Sequence, residues 1–309
     1  MSMPPKNEPT VRSVPIGGIG TGGFETGPDG RIVNVTMNNN RSKELEIPSN
    51  DGAFLAVRAA LNEQVIARIL QTNSSLPFRK AGIEAPFPAQ NQLGWSGLYP
   101  SSTYGLRDSD LPISISWRIF SPVLPYDTEA ATLPMAMFSV QVANKTEHDC
   151  DASVMFNWES LRGCSGQIRR KHRGDLNIIA MNEHEELMPL APALAVRRRD
   201  PVLGAVFGLG ERITRDADGD YTLVAAPRPE QVISFYGWRH ESPEDVKGLW
   251  WSFVDDGVLP NQVTDSKPAT CASLCIAQNL PPGGKAQYSF IHTWMCPQYT
   301  LDGANVGNG

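Results

Sequence analysis

The sequence predicts an all-β protein, a large antiparallel β-sandwich with one or a few short helices. Short runs in which apolar and polar residues alternate recur along the chain, and this period is typical of strands with one buried face. The 27 glycines and 25 prolines supply the turns that many short strands need. We see no internal repeat and no long linker, so two sheets packed face to face are the arrangement that buries these strands.

The clearest alternation lies between Leu133 and Glu159, on either side of the polar segment 144–149. The even-numbered positions of both runs are apolar: Phe138, Val140, Val142, Ala152, Val154, Phe156 and Trp158. We interpret the two runs as the strands of an antiparallel hairpin. Its even-numbered face is expected to be buried, and its other face, with Ser153 and Asn157, is expected to be wet.

Several further elements follow from local patterns. Residues 51–60 and 64–70 predict a second hairpin, and strands are expected at 113–120, 270–277 and 287–294. Ser242 as N-cap, Pro243 in the first turn and Asp245 three residues after the cap predict a helix that ends at Gly257. We expect one β-sandwich domain over residues 11–298, with flexible tails at 1–10 and 299–309.

Composition excludes several classes of function. The 33 acidic and 27 basic residues give a net charge of −6, which argues against nucleic acid as the main partner. We find neither a signal peptide nor a membrane span, so we expect a cytoplasmic protein. The five cysteines lack zinc-like spacing, and Cys271 and Cys275 are expected to be small buried side chains on one face of a strand.

The glycine-rich segment from Ile16 to Gly23 reads IGGIGTGG and formally satisfies the dinucleotide-binding pattern. That function requires a helix after the glycines, and here a Pro-Asp-Gly turn and a predicted strand follow. We therefore interpret the segment as a bend where two backbones pass closely. The acidic residues Asp216, Asp218 and Asp220 suggest calcium, but the glycine of the loop stands at the wrong position. The basic run at 169–173 is more typical of a solvated loop than of an anion site. No metal and no cofactor is predicted.

A search for catalytic residues returns none. The five histidines are scattered, and clustered carboxylates such as those at 183–186 and 255–256 are typical of solvated surface. A glycosidase needs two carboxyl groups facing each other across a sugar, and the sequence alone selects no such pair. Trp95, Tyr99 and Tyr104 are candidates for stacking on a carbohydrate, although core packing is the commoner role of such residues.

Seven segments, in this order, resemble one known family. They are Ile16–Gly22 (IGGIGTG), Gly94–Pro100 (GWSGLYP), Arg118–Asp127 (RIFSPVLPYD), Leu133–Pro134, Val154–Trp158 (VMFNW), Leu280–Gly284 (LPPGG) and His292–Pro297 (HTWMCP). Together the chain resembles the N-terminal domain of glycoside hydrolase family 116, the family of bile-acid β-glucosidase and non-lysosomal glucosylceramidase. The chain departs from the family pattern at 23–26, where an arginine-rich segment is commoner, and the 167–200 region shows no resemblance.

The resemblance implies a β-sandwich that precedes a catalytic (α/α) barrel. In that family both catalytic carboxylates belong to the barrel, so no catalytic residue is carried over to this chain. We therefore expect a non-catalytic domain whose partners are a barrel, in the same or a separate polypeptide, and a glycoside, with a homo-oligomer as a further option. Two alternatives stay open: a stand-alone hydrolase that uses carboxylates of the sandwich, and a free carbohydrate-binding module.

Overall fold

The computed structural model describes residues 13–36, 53–72, 82–83, 87–159, 221–239, 242–263 and 271–295. It also describes the backbone of the strand segments 168–170, 178–180, 194–199, 202–207, 220, 298–301 and 304–308. The predicted tail at 1–10 and the predicted acidic turn at 216–219 lie outside these residues. So does most of the basic run at 169–173, of which 169 and 170 fall in a strand.

Two large sheets form the body of the protein, which confirms the predicted all-β sandwich. The eight-stranded sheet runs, in spatial order, β13 (Leu194–Arg199), β14 (Val202–Phe207), β15 (Asp220–Ala225), β19 (Lys285–Met295), β9 (Met135–Asn144), β8 (Ile113–Phe120), β7 (Ser101–Leu106) and β6 (Leu93–Leu98). The six-stranded sheet runs β17 (Gln262–Val263), β16 (Val232–Trp238), β18 (Cys271–Leu280), β10 (Cys150–Glu159), β4 (Ala53–Leu61) and β5 (Gln64–Ile69). All neighbours in both sheets are antiparallel except β16 and β17.

The remaining strands form three smaller sheets. A three-stranded sheet contains β1 (Val14–Gly17), β2 (Gly23–Thr26) and β3 (Ile32–Val33), and two-stranded hairpins contain β11 (Ile168–Arg170) with β12 (Ile178–Ala180) and β20 (Gln298–Leu301) with β21 (Ala304–Asn308). The hairpin of β20 and β21 lies where the sequence predicts a tail. The α-helices of the described residues are α1 (Thr128–Ala131) and α2 (Pro243–Asp256), and a 3-10 turn spans Gln90–Gln92.

The segment 133–159 differs from its prediction in one respect. The even-numbered side chains are buried as expected, but β9 and β10 belong to different sheets and do not pair. The loop at 145–149 crosses from one sheet to the other, so Phe138 and Phe156 face each other across the sandwich with ring centroids 4.3 Å apart. The hairpin interpretation was wrong because alternation identifies the buried face of a strand and not the strand it pairs with. By contrast, the second predicted hairpin is confirmed, since β4 and β5 pair antiparallel.

The other face of β10 is also buried, contrary to expectation, because helix α2 covers it. Ser153 and Asn157 are at most 1% exposed. The helix buries Val246, Leu249, Trp250 and Phe253 against the six-stranded sheet. Because both faces of the strand are covered, Asn157 has no contact with solvent. Its Oδ1 instead accepts hydrogen bonds from Trp238 Nε1 (3.1 Å) and Ser273 Oγ (2.8 Å).

The predicted ends of α2 are confirmed. The Ser242 and Asp245 side chains form a capping box, and Gly257 ends the helix at φ +70°. Beneath that end, the buried Arg58 donates from Nε to the Val254 carbonyl (2.6 Å) and from Nη2 to the Asp255 carbonyl (3.1 Å). A cation at the carboxyl end of a helix satisfies orphan carbonyls and complements the helix dipole. Cys271 and Cys275 lie buried on the same face of β18, as predicted.

Candidate interdomain surface

Most of the exposed large apolar side chains lie at one end of the eight-stranded sheet. Of the ten in the described part of the chain, seven belong to loops or strand ends at the place where β8 and β19 finish and β7 and β9 begin. We call this set the loop-end surface: Ile19, Leu98, Tyr99, Leu124, Tyr126, Leu133 and Met295. Leu98 is 82% exposed and Tyr126 is fully exposed, although large apolar side chains are more often buried.

Hydrogen bonds join these loops to one another. The Ile19 amide donates to the Ala131 carbonyl (2.8 Å), and the Gly17 amide donates to Ser121 Oγ (2.6 Å). The Ser121 amide in turn donates to the Pro100 carbonyl (3.1 Å). The apolar side chains therefore stand on a connected rim rather than on independent loops.

The glycine-rich segment forms the centre of this rim. It is the turn between β1 and β2, so a strand and not a helix follows it, and the helix N-terminus that a bound dinucleotide would need is not formed here. Gly18 approaches the backbone of the α1–β9 connection so closely that a Cβ would lie 2.5 Å from the Leu133 carbonyl oxygen. Gly20 has φ +78° with open space around it. The interpretation as a tight bend beside another backbone is thus confirmed.

Aromatic rings support the rim from below. Trp294 Nε1 donates to the Thr21 carbonyl (2.8 Å), and Phe24 lies 5.8 Å from Trp158, centroid to centroid. His292 is fully buried 3.9 Å from the Trp158 ring, and its Nδ1 contacts the Thr222 carbonyl at 3.2 Å. Burial lowers the pKa of His292 to about 3, so the ring is neutral at physiological pH. It is a core side chain and does not face a site.

The three aromatic residues proposed for sugar stacking occupy different environments. Tyr104 is 2% exposed, donates from its hydroxyl to the Gly27 carbonyl (2.8 Å), and stacks on Trp117 at 5.0 Å. Trp95 is half-buried against the core, and its ring lies against the backbone of Gly97. Tyr99 alone of the three is exposed, at the turn that adjoins the glycine-rich segment. The structure therefore does not bring them together into one stacking platform.

A cavity of about 320 Å³ opens between Tyr99 and the glycine-rich segment. Its polar wall is made by Glu25 and Asn34, and Glu25 Oε2 accepts hydrogen bonds from Asn34 Nδ2 (2.9 Å) and from the Ser13 hydroxyl. The sequence did not predict a binding role for Glu25 or Asn34, because each stands alone in a short strand or turn. Only the fold brings them to the aromatic ring.

Comparison with known families decides what kind of domain this is. Residues 13–306 match the family described as beta-glucosidase 2, glycosyl-hydrolase family 116, N-terminal domain. The chain belongs to this family. In this family 116 N-terminal domain, five of the seven segments that carry the resemblance meet at the loop-end surface: 16–22, 94–100, 118–127, 133–134 and, through Met295, 292–297.

Solved structures resemble the family 116 domain only distantly. They include a candidate kojibiose phosphorylase from the human microbiome (10% identity, TM-score 0.37, covering 92% of this chain and 29% of that one). A second is the family 36 α-galactosidase AgaB from Geobacillus stearothermophilus (9% identity, TM-score 0.29, covering 78% of this chain and 30% of that one). A third is a galactose mutarotase related enzyme from Lactobacillus acidophilus (9% identity, TM-score 0.32, covering 95% of this chain and 99% of that one). The chain thus spans less than a third of the first two. These likenesses assign no function.

Within the described residues, the carboxylates of the family 116 domain do not form a catalytic pair. Burial raises the pKa of Glu159, at the end of β10, to about 7, and no carboxylate of the described residues contributes to that shift. A retaining glycosidase needs its second carboxyl group about 5–5.5 Å away, where it would raise the pKa by repulsion. Within the described residues no group of three or more His, Cys, Asp or Glu side chains could hold a metal. No helix in the same residues is long and apolar enough to cross a membrane.

Proposed function

We propose that this chain is a non-catalytic domain of a β-glucosidase-like glycoside hydrolase and that it braces a separate catalytic (α/α) barrel. The loop-end surface would be the part that contacts the barrel. The observation that carries the proposal is the concentration of exposed apolar side chains there. Large exposed apolar patches on a soluble domain are typical of protein–protein interfaces.

The opposite end of the sandwich has a different character. There the carbonyls of His148 (2.7 Å), Leu280 (2.9 Å) and Pro281 (3.1 Å) share the two hydrogens of Asn144 Nδ2, which ties together the two loops that cross between the sheets. Exposed positions nearby are polar or charged, such as Glu147 and Asp149. Such an end is satisfied by its own hydrogen bonds and by water, so it favours solvent over a partner.

The cavity beside Tyr99 supports a second role for the same surface. An exposed aromatic ring next to a carboxylate and an amide is the set of groups that binds a sugar, because the ring contacts C–H bonds while the polar groups bind hydroxyls. If a barrel covers the loop-end surface, Tyr99, Glu25 and Asn34 would stand at its edge. We propose that they contribute to the rim of the glycoside pocket.

A binding experiment tests the docking proposal. The triple variant Ile19→Ser, Leu124→Ser, Tyr126→Ser removes three exposed side chains of the loop-end surface. The matched control Val65→Ser, Val232→Ser, Trp251→Ser removes three exposed apolar side chains from elsewhere. A separately produced family 116 barrel is mixed with each chain, and complex formation is measured by light scattering. Each buried apolar side chain contributes roughly 1.5–3 kcal/mol, so the first variant should weaken binding more than a hundredfold.

The control variant should bind the barrel as the unmodified chain does. Equal binding by both triple variants would show that the loop-end surface is not the contact. Self-association of the unmodified chain that the first variant abolishes would instead identify the surface as a homo-oligomer interface.

The alternative function, a stand-alone hydrolase, rests on Glu159, because a carboxyl group with a pKa near 7 could serve as a general acid. The purified chain should nevertheless hydrolyse aryl β-glucosides only at the background rate. Turnover that survives repurification and disappears in Glu159→Gln would overturn the non-catalytic proposal.

We also propose a cytoplasmic location. Cys150, Cys271 and Cys275 are buried free thiols, which suits a reducing compartment. Recovery of the protein in a secreted or periplasmic fraction would contradict this.

A further inference from the structure

A second groove lies away from the loop-end cavity, on the outer face of the eight-stranded sheet. It has a volume of about 480 Å³, within the roughly 300–1,000 Å³ of small-molecule sites, and crosses β7, β8, β9 and β19. Its lining includes one cation, two apolar side chains and three polar side chains: Arg118, Phe120, Met137, Ser139, Gln287 and Ser289.

The charge of this groove is opposite to that of the chain. The protein carries a net charge of −6, yet among the described residues no Asp or Glu lines the groove, and Arg118 is the one charged lining residue. The Arg118 guanidinium lies 4.7 Å from the centre of the Phe120 ring, and its Nε donates to Ser101 Oγ at 2.7 Å. These two contacts orient the cation and leave its terminal amino groups for a ligand.

A hydrogen-bond network prepares two hydroxyl groups beside the cation. Gln287 Oε1 accepts from Arg228 Nη2 (3.2 Å), and Gln287 Nε2 donates to Ser139 Oγ (3.1 Å) and Ser289 Oγ (3.4 Å). Because each serine oxygen accepts from the amide, its own proton is available as a donor. The backbone of Gln287 is held too, since its carbonyl accepts from Gln231 Nε2 at 3.0 Å.

The strand register places these donors in one row. Arg118 is directly opposite Ser139, and Ser139 is directly opposite Ser289. Neighbouring strands are about 4.8 Å apart, so the row spans about 10 Å across three strands. Apolar surface lies beside it, from Phe120 and Met137 on β8 and β9. The row is thus one cation followed by hydroxyl donors, next to an apolar platform.

We propose that this groove binds an acidic sugar, a uronate residue of a glycan. Its carboxylate would pair with Arg118, its hydroxyls would bind Ser139 and Ser289, and its C–H face would lie on Met137, beside the Phe120 ring that carries the guanidinium. A neutral sugar would leave the oriented cation without an anion. A bare phosphate would use the cation and leave the apolar platform empty. The site does not depend on docking of a barrel.

Two ligands that differ in one group test the charge requirement. Methyl β-D-glucuronide and methyl β-D-glucoside are titrated into the full chain by calorimetry, with inorganic phosphate as a third ligand. The glucuronide should bind at least tenfold more tightly than the glucoside, since an arginine–carboxylate pair contributes more than a neutral hydrogen bond. Phosphate should bind more weakly than the glucuronide.

Variants test the residues. Arg118→Gln should abolish the preference for the glucuronide, and Ser139→Ala with Ser289→Ala should weaken both glycosides by a similar factor. The charge control is Arg107→Gln, which removes an exposed arginine outside the groove and should change neither affinity. Thermal melts establish that each variant is folded. Absence of glucuronide binding, equal affinity for the two glycosides, tighter binding of phosphate, or an unchanged preference in Arg118→Gln would each overturn the proposal.

Discussion

Replacing Gly18 with alanine should destabilise the protein by steric contact alone. Its φ lies outside the left-handed region, so alanine fits the backbone conformation. The added Cβ would meet the Thr21 hydroxyl, and it would lie 2.5 Å from the Leu133 carbonyl oxygen and 2.8 Å from the Thr132 carbonyl carbon, where ordinary contacts are 3.4–4 Å. The last two are backbone atoms, so relief requires a shift of roughly 1 Å between the glycine-rich turn and the α1–β9 connection. Overpacking of this kind costs about 1–3 kcal/mol, and a backbone neighbour favours the upper part of that range.

Gly20→Ala is the matched control, two residues away in the same turn. At φ +78° alanine is strained by about 1–2 kcal/mol, but no atom lies within 4 Å of its Cβ. Both substitutions reduce the entropy of the unfolded chain by the same amount, about 0.4–1 kcal/mol, so this contribution cancels in the comparison. We expect Gly18→Ala to lower the free energy of unfolding by about 1 kcal/mol more than Gly20→Ala does.

Urea unfolding followed by tryptophan fluorescence measures this difference, because Trp294 donates to the Thr21 carbonyl in the same turn. Gly18→Ala should also weaken binding of a barrel, since relief of the contact displaces Leu133 of the loop-end surface. Equal midpoints for the two variants, or a more stable Gly18→Ala, would refute the close approach of the two backbones. NAD and ATP should leave the melting temperature of all three proteins unchanged. A saturable rise would reopen the interpretation of the turn as a nucleotide loop.

Three further predictions concern the core. Arg58→Ala should lower the free energy of unfolding by about 2–4 kcal/mol, because two carbonyls at the end of α2 lose a charged donor. The control Arg107→Gln, at an exposed position, should change the free energy of unfolding by less than about 0.5 kcal/mol in the same urea titration. Gly257→Ala should cost more than Gly283→Ala, although both have φ near +70°, since only the former Cβ meets Arg58 (Nη1, 2.8 Å). The free energy of unfolding should decrease as the pH is lowered below about 6.5, because His292 binds a proton in the unfolded chain but stays neutral in the folded one, where its pKa is about 3. The decrease is about 2 kcal/mol between pH 6.5 and 5. In His292→Gln this dependence on pH should disappear.

Alternation predicts the buried face of a strand well and its partners poorly. The even-numbered residues from Phe138 to Trp158 are all buried as expected, yet the two strands that carry them lie in opposite sheets. The burial of Ser153 was missed for a related reason, because it depends on helix α2, almost a hundred residues away in the chain. Caps, by contrast, are local, and Ser242, Pro243 and Gly257 predicted both ends of that helix correctly.

The loop-end surface could not be predicted in the same way, because none of its members is unusual in its own segment. Ile19, Leu98 and Tyr126 each stand among glycines, prolines or polar residues, and a single exposed apolar residue in a loop is ordinary. They become recognisable as one surface only in the fold, where hydrogen bonds between Gly17 and Ser121 and between Ile19 and Ala131 bring the loops together. The same reasoning explains the groove on the sheet face, where Arg118 and Gln287 are far apart in sequence but two strands apart in register. Both candidate sites therefore depend on contacts between segments, whereas the strand pattern specifies mainly the core that holds those segments in place.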